Sequence, residues 1–195
     1  MAVQRSERPV RERILHGTYA CVARWGIGKT TVEDAAREAG VSRATLYRYF
    51  PGGRDELIDA VVLWQVTQFF AMLFEELHGA ASLPEVLERA IVFARRAITE
   101  HQVLQQVMAT EPELLLPKLT TERERIVGMV TGVLLPYLAH HTVVADVDML
   151  QAADYLARMT LSVISAPGRW DLDDPDQVAE VVRVHLLAGI VEPGD

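Results

Sequence analysis

The sequence TVEDAAREAGVSRATLYRYF, residues 31–50, decides how the N-terminal part of this chain folds. Thr30-Thr31-Val32-Glu33 forms a capping box, in which a hydroxyl and the Glu33 carboxylate bind free amides at a helix start. Gly40 permits the positive φ of a tight turn, and Ser42 is typical of the residue that caps a second helix. The stretch therefore predicts two short helices joined by a tight turn.

Small and apolar residues in this stretch are spaced to form one seam between the two helices. Ala35 and Ala36 keep the first helix thin where the second crosses it. The seam consists of Val32, Ala36, Ala39, Val41 and Leu46. Polar and aromatic residues remain for the other faces of the second helix. A helix-turn-helix of this kind places the N-terminal part of its second helix in the major groove of DNA. A helical hairpin within a larger bundle is the alternative interpretation.

Helical spacing of apolar residues, interrupted by capping and breaking residues, recurs along the rest of the chain. Pro112 and Pro167-Gly168 are expected to end helices, and Asp174-Pro175 to open the last one. No alternating strand pattern and no internal repeat is visible in the sequence, so the predicted fold is all-α. About nine helices are predicted, near residues 12–24, 31–39, 43–50, 54–78, 82–100, 101–110, 121–140, 146–166 and 174–190.

Charge is distributed unevenly along the chain. Residues 1–54 carry ten Lys/Arg and five Asp/Glu, whereas residues 55–195 carry nine and twenty-two, within a net charge of −8. A basic segment joined to an acidic remainder is typical of a protein that meets a polyanion with one end. We therefore predict two domains, residues 1–54 and residues 55–195.

Composition limits the compartment in which the protein works. Half of the residues are apolar, which is enough for a folded core. The single cysteine, Cys21, excludes an intramolecular disulfide and fits a reducing cytosol. Three polar residues interrupt the most apolar segment, 60–74, and no apolar run follows the first arginines, so neither a membrane span nor a signal peptide is expected. We expect a cytoplasmic protein.

The helix-turn-helix residues resemble the TetR family of bacterial transcriptional regulators. The matching residues are 28–36 and 40–50, and the likeness continues through Asp55-Glu56-Leu57-Ile58 into the next helix. The resemblance implies an N-terminal three-helix DNA-binding head and a C-terminal helical domain for ligand binding and dimerisation. It also implies a regulator, with repression as the expected sign, that binds a palindromic double-stranded DNA operator as a homodimer and is released by an effector.

The resemblance assigns DNA contacts to individual residues. Arg43, Ala44 and Thr45 occupy the family's base-reading positions, where an arginine suits guanine O6 and N7. The hydroxyl and free amides at Thr31 suit a phosphate, and the tyrosines are expected to hold phosphates through their phenolic oxygens. The expected DNA-binding set is Lys29, Thr31, Ser42, Arg43, Ala44, Thr45, Tyr47, Arg48, Tyr49 and Arg54.

Two features flank this set. Three residues after Phe50 the family usually has a lysine that grips phosphate; this chain has Gly53 there, and Arg54 is expected to substitute for the lysine. The arginine-rich leader is interpreted either as a mobile arm that enters the minor groove or as a disordered segment. Its arginines are Arg5, Arg8, Arg11 and Arg13.

The acidic remainder is expected to hold the effector and the dimer interface. Few polar residues lie on its central helices, so the effector is predicted to be an apolar or amphipathic small molecule. The expected ligand-binding residues are Trp64, Gln68, Met72, Phe93, Met108, Met129 and Tyr137. The expected dimer interface lies on the last two helices, at Leu156, Leu161, Val163, Val178, Val182 and Leu186.

Two other classes of function remain as alternatives. Residues 23–30 fit a relaxed phosphate-binding loop, but that chemistry needs a strand before the loop, and a helix is predicted there. A helical protein-interaction module would instead use the hairpin for a partner chain. No Ser/His/Asp, Cys/His or paired-carboxylate set stands out, so catalytic residues and a cofactor are not expected. Metal-ligand spacing is not recognised at His101, His140 and His141.

Overall fold

The computed structural model describes residues 8–140 and 147–191, and within them the fold is all-α, as predicted. These residues form ten α-helices, the last of which continues into a π-helical segment, Val181–Leu186. The only extended pairing in the described ranges is an isolated bridge between Ala188 and Val191. The helices are α1 Val10–Trp25, α2 Val32–Ala39, α3 Arg43–Tyr49, α4 Gly53–Glu76, α5 Leu83–Glu100, α6 Gln102–Thr110, α7 Pro112–Thr121, α8 Arg123–Leu138, α9 Met149–Ser165 and α10 Pro175–Glu180.

Helix α7 is the element that the sequence analysis does not predict. Pro112 follows the end of α6, as expected, but it also occupies the first position of α7, where the missing amide of a proline costs nothing. A second proline, Pro117, lies inside the helix. Thr121, predicted to open a helix, is instead the last residue of α7 and donates its hydroxyl to the Pro117 carbonyl at 3.0 Å.

Helices α1 to α3 and the first half of α4 share one hydrophobic core. Val41, which the sequence places in the α2–α3 seam, packs against this core as a partly buried residue. The other four seam residues are members of the core itself, so the predicted seam is confirmed. The core consists of Ile14, Leu15, Val32, Ala35, Ala36, Ala39, Leu46, Phe50, Leu57 and Val61.

We call helices α1 to α3 and the first half of α4 the head. Helices α6 and α7 pack with it. The first compact unit of the chain comprises the residues up to Gln68 together with His101–Glu122. Val107 and Leu115 are buried in one cluster with Val22, Ile27 and Ile58. This division differs from the predicted boundary near residue 55, because α4 is continuous there and long-range packing, which charge does not reveal, brings 101–122 to the head.

The second compact unit comprises Phe69–Glu100 and the described residues from Arg123 onward. Its helices α8 and α9 are joined by Arg158. The Arg158 guanidinium lies 3.1 Å from a Glu124 carboxylate oxygen on α8 and 2.8 Å from an Asp154 oxygen on its own helix. One arginine thus bridges two acidic side chains and fixes the two helices side by side.

Most of the residues predicted for the dimer interface are buried within their own protomer, and this corrects the prediction. Side chains already surrounded by their own chain have no area left to bury against a second copy. The exposed fractions are 0% for Leu156, 1% for Val178, 0% for Val182 and 2% for Leu186. Leu161 and Val163 are half-buried. The large apolar side chains that are exposed on these elements are Met149, Leu150, Tyr155 and Val184.

Among the described helices, only α4 is long and apolar enough to cross a membrane. The residues that interrupt it, Gln65, Thr67 and Gln68, are uncharged, so the helix passes a test of length and composition. Length and composition are weak evidence for a span, because core helices of soluble proteins pass the same test. Leu57 and Val61 of α4 lie in the core of the head.

Replacing Leu46 with alanine is expected to lower the free energy of unfolding by about 2–5 kcal/mol, because the side chain is fully buried and leaves a cavity. Leu116→Ala is the matched control, since Leu116 is 46% exposed on α7; it is expected to cost less than about 0.5 kcal/mol. Urea unfolding followed by circular dichroism measures both. Similar losses in the two variants would contradict the placement of Leu46 in the core.

Candidate nucleic-acid interface

Both helices of the predicted motif begin at a side-chain cap. Thr31 Oγ1 accepts the Asp34 amide at 3.1 Å, and Ser42 Oγ accepts the Thr45 amide at 3.1 Å. Thr31 also donates its hydroxyl to the Asp34 carboxylate at 2.6 Å. This hydrogen bond, with a smaller contribution from Arg37, lowers the pKa of Asp34. Thr31 and Asp34 therefore form the capping pair at the start of α2.

Glu33, which the sequence assigns to the capping box, has a different partner. One of its carboxylate oxygens lies 2.8 Å from Arg43 Nη1 at the start of α3. The Arg43 guanidinium carbon also lies 5.5 Å from the centroid of the Tyr47 ring. Hydrogen bonding to Tyr47 and the nearby Glu33 charge raise the pKa of Arg43. A carboxylate on α2 and a ring on α3 thus hold this guanidinium in one orientation.

We call the set Ser42, Arg43, Ala44, Thr45, Tyr47, Arg48 and Tyr49 the α3 outer face. Tyr47 and Tyr49 are 37% and 38% exposed, and the Arg48 guanidinium lies 5.5 Å from the Tyr49 ring. Leu46 within the helix and Phe50 directly after it are buried in the head core. The side chains available on this face are therefore cations, phenols and hydroxyls, which suit the acceptors of phosphates and base edges.

The tight turn between α2 and α3 is closed by Gly40 and Arg13. Gly40 has a φ of +64°, the left-handed conformation that the sequence predicts for it. Arg13 Nη2 donates to the carbonyls of Ala39 at 2.9 Å and Gly40 at 2.8 Å. Arg13 is thus a structural residue of the turn, placed by α1.

The leader arginines divide into two groups. Arg11 and Arg13 lie within α1, and the Arg11 guanidinium lies 5.4 Å from the Phe50 ring centroid. These two residues are therefore not part of a mobile arm, which corrects that interpretation of them. Arg8 is exposed just before α1, and Arg5 lies outside the described residues.

Residues 14–61, which contain the helix-turn-helix described above, match the family model of the bacterial regulatory proteins of the tetR family. Over this segment the chain is similar to the DNA-binding domain of TetR-family regulators. The resemblance drawn from the sequence is confirmed.

Relatives and solved structures agree with this assignment. An HTH-type transcriptional regulator of Mycobacterium bovis, itself uncharacterised, is 30% identical over 99 residues, 51% of this chain and 50% of that protein. The nucleoid occlusion factor SlmA of Pasteurella multocida is 30% identical over 118 residues, 57% and 59% of the two chains. The crystal structure of the TetR-family repressor AlkX from a Dietzia strain, implicated in biodegradation of n-alkanes, has a TM-score of 0.63 and 26% identity over 90% of this chain and 94% of that one. This chain spans about half the length of the curated relatives it matches.

Arg54, expected to replace the TetR-family lysine, has its donors directed elsewhere. Its Nε donates to the Thr30 carbonyl at 2.9 Å, and its Nη2 donates to the carbonyls of Ile27 at 2.6 Å and Gly28 at 3.3 Å. Nη1 lies 3.3 Å from Asp55. The guanidinium therefore holds the α1–α2 loop. Lys29, in that loop, is exposed.

The loop between α1 and α2 does not have the surroundings of a nucleotide-binding loop. The preceding element is α1, and the amides of Ile27 and Gly28 both donate to the Glu111 carboxylate. Neither the role of Glu111 nor the pairing of Glu33 with Arg43 is apparent from the sequence. Glu111 is 84 positions from Ile27, so no local signal could have shown the contact.

The predicted ligand-binding residues are divided between the two units. Trp64, Gln68 and Met108 belong to the unit that contains the head, and Trp64 packs against the head core. The other members lie in the second unit: Met72, which is 54% exposed, Phe93, which contacts Phe69, and Met129 and Tyr137. The residues are therefore not gathered around one cavity within either unit.

Tyr137 is the predicted ligand-binding residue that lines a pocket in the second unit. The pocket has a volume of about 290 Å³ and is lined by Phe74, Leu77, His78, Gly79, Gly132, Val133, Pro136 and Tyr137. A neighbouring pocket of about 490 Å³ shares Pro136 and Tyr137 with it and adds Ala81, Ser82 and His140. Over residues 8–140 and 147–191, no group of three or more His, Cys, Asp or Glu side chains is placed to hold a metal ion; His141 lies outside these ranges.

Replacing Thr31 with alanine is expected to cost about 1 kcal/mol of stability through loss of the α2 cap and to raise the pKa of Asp34, because the Thr31 hydroxyl is the main cause of its lowering. The ionised Asp34 stabilises the wild-type fold above the carboxyl pKa of the unfolded chain, and this contribution disappears as the pH falls through the lower folded value. NMR titration of Asp34 and thermal unfolding from pH 2 to 7 measure both effects. Thr120→Ala in α7 is the control, since Thr120 bonds only a carbonyl of its own helix; an unchanged Asp34 titration in Thr31→Ala would refute the capping pair.

Proposed function

We propose that this chain is a cytoplasmic, sequence-specific DNA-binding transcriptional regulator that responds to a small molecule and acts as a repressor. The observation that carries the proposal is the α3 outer face, a row of exposed cations and phenols on the second helix of a TetR-family helix-turn-helix. A helix-turn-helix docks this helix in the major groove while the preceding helix crosses the backbone. The basic excess of residues 1–54 supplies the charge that a polyanion attracts.

In this proposal Arg43 reads a base. Its guanidinium is exposed and is held by Glu33 and Tyr47, so little side-chain freedom is lost when it binds guanine O6 and N7. Ala44 and Thr45 meet neighbouring base edges. The phosphates are held by Lys29, Thr31, Ser42, Tyr47, Arg48 and Tyr49. Arg54 contributes indirectly: its donors bind the loop that carries Lys29, and so it positions Lys29.

The proposed effector is an apolar or amphipathic molecule bound in the second unit. The pocket beside Tyr137 is lined by both apolar and polar groups, and its apolar side chains include Phe74, Leu77 and Val133, which suit the apolar part of a ligand. The similar repressor AlkX is implicated in biodegradation of n-alkanes, which favours the same ligand class. Bound effector is proposed to shift the population towards a conformation that releases DNA.

A homodimer on a palindromic operator completes the proposal. The burial of Leu156, Val178, Val182 and Leu186 means that the interface must use other residues of the last helices. On α9 the side opposite the buried residues carries Gln151, Tyr155 and Ser162, spaced four and seven residues apart so that they share one face. Met159, half-buried, lies between them. We propose this face, centred on Tyr155, as the dimer contact of α9.

Arg43→Ala is expected to weaken binding to the operator by about 1–3 kcal/mol and to relax its sequence preference, because a base-reading contact is lost. Arg96→Ala is the matched control, an exposed arginine on α5 of the other unit. Fluorescence anisotropy with an inverted repeat from the DNA around the gene and with random duplex DNA measures the two affinities.

Equal losses on operator and random duplex would remove Arg43 from the base-reading set. Repeating the titrations at several salt concentrations tests DNA binding itself, since log K must fall linearly with log salt concentration as phosphate counterions are released. A chain that binds neither duplex at low salt would refute the proposed regulator and favour the protein-interaction module.

Tyr155→Glu is expected to convert the dimer to monomers, because burying an unpaired carboxylate at the centre of the contact is strongly unfavourable. Val92→Glu is the control, as Val92 is a similarly exposed apolar residue, 41% against 47% for Tyr155, on α5. Sedimentation equilibrium gives the mass of each variant. A Tyr155→Glu protein that remains dimeric would place the interface elsewhere.

A further inference from the structure

Glu111 occupies an anion site built from the backbone of the α1–α2 loop. One of its carboxylate oxygens accepts the Ile27 amide at 2.6 Å, and the Gly28 amide lies 3.2 Å and 3.3 Å from the two oxygens. The residue lies between α6 and α7, outside the helix-turn-helix in sequence. Two consecutive amides aimed at one carboxylate are the arrangement by which loops bind anions, and here the anion is a side chain of the same chain.

The loop is shaped to admit this carboxylate. A Cβ atom at Gly28 would lie 2.9 Å from Glu111 Oε1, and one at Gly26 would lie 2.6 Å from Oε2. A Cβ atom at either position would therefore displace the carboxylate end of Glu111 from its place against the loop. At Gly26 a φ of +85° favours glycine as well, whereas Gly28 has no positive φ. Alanine at Gly28 would therefore conflict with Glu111 and not with the backbone conformation.

Arg54 binds the backbone carbonyls of the same loop, whereas Glu111 binds its amides. Its guanidinium accepts no hydrogen bonds and donates to the carbonyls of Ile27, Gly28 and Thr30, while Glu111 takes the amides of Ile27 and Gly28. The donors and acceptors of this short loop are thereby paired with charged side chains from α4 and from the α6–α7 junction. Charge-assisted bonds of this kind are roughly twice as strong as neutral ones.

The loop leads directly into the proposed phosphate contacts. Thr30 is buried and bonds the Gly26 carbonyl through its hydroxyl at 2.7 Å, and Thr31, the next residue, caps α2. Lys29 lies inside the same loop. We propose that Glu111 is a positioning residue for DNA binding, which sets the loop conformation and with it the phosphate contacts of Lys29 and Thr31. This inference rests on the proposed DNA-binding function.

The segment that carries Glu111 lies between two helices of the second unit in the sequence. Residues 101–122 belong to the unit of the head, but they are joined covalently to α5 at one end and to α8 at the other, and both helices belong to the second unit.

A double-mutant cycle on the full chain tests the contact between Glu111 and the α1–α2 loop in the absence of DNA. Gly28→Ala is expected to lower the Tm in the wild-type background, because its Cβ displaces the Glu111 carboxylate. In a Glu111→Ala background the same substitution is expected to leave the Tm unchanged or raise it, since alanine reduces the freedom of the unfolded chain. The same decrease in Tm in both backgrounds would contradict the contact between Glu111 and Gly28.

DNA binding tests the positioning role. Glu111→Gln keeps one acceptor oxygen and loses the charge. It is expected to weaken binding to operator and random duplex alike. The slope of log K against log salt concentration is expected to fall by about 1, because one phosphate contact is lost. Glu111→Ala is expected to have a larger effect in the same direction. Glu113→Gln, an exposed glutamate two residues further on in α7, is the control. All titrations are run below the unfolding transition of each variant.

The outcomes separate the two proposals. An unchanged affinity and salt slope in Glu111→Gln, beside a wild-type chain that binds operator, would overturn the positioning role and leave the regulator intact. A wild-type chain without DNA binding would overturn the proposed function itself. A loss in Glu113→Gln equal to that in Glu111→Gln would assign the effect to net charge and would also overturn the positioning role.

Discussion

Burial of Leu46 in the seam between α2 and α3 is the contact on which the proposed DNA-binding surface depends. Helix α3 has seven residues, too few to be stable alone in water, so its orientation comes from packing. With Leu46 inside the core, helical geometry turns Arg48, two residues later, to the opposite side, and Arg43 and Tyr47 stay exposed at the flanks of the helix. The alanines of α2 allow the close approach of the two helices, and Gly40 with Arg13 closes the turn that joins them.

Polar groups in the head are paired in ways that leave the α3 outer face accessible. Thr31 and Ser42 each accept an amide at the start of a helix. In the α1–α2 loop, Arg54 binds carbonyls and Glu111 binds amides. Arg43, in contrast, is paired at the surface, where side chains keep more than half of their exposure: 62% for Arg43 and 54% for Glu33. A surface pair of this kind is worth little to stability, so it orients the guanidinium without preventing its exchange onto a base.

The last helices illustrate why apolar spacing alone does not identify an interface. Leu156, Val178 and Val182 follow an amphipathic pattern that suits a protomer core and a dimer contact equally well. In the folded chain they are core residues, and the large apolar side chains left exposed on these elements are Met149, Leu150, Tyr155 and Val184. Solvent exposure in the protomer distinguishes the two roles, and exposure depends on which faces α8, α9 and α10 turn towards one another.

Local signals in the sequence were sufficient for the helix-turn-helix, its turn and its outer face, because capping residues, a positive φ and spacing along a helix involve only neighbouring positions. They also identified the family, since the matching residues are contiguous. They gave the wrong partner for Glu33, missed α7 and offered no sign of Glu111. Those features, the extension of the head to residues 101–122 and the burial of the last helices arise only in the folded chain, because each depends on contacts between residues far apart in sequence.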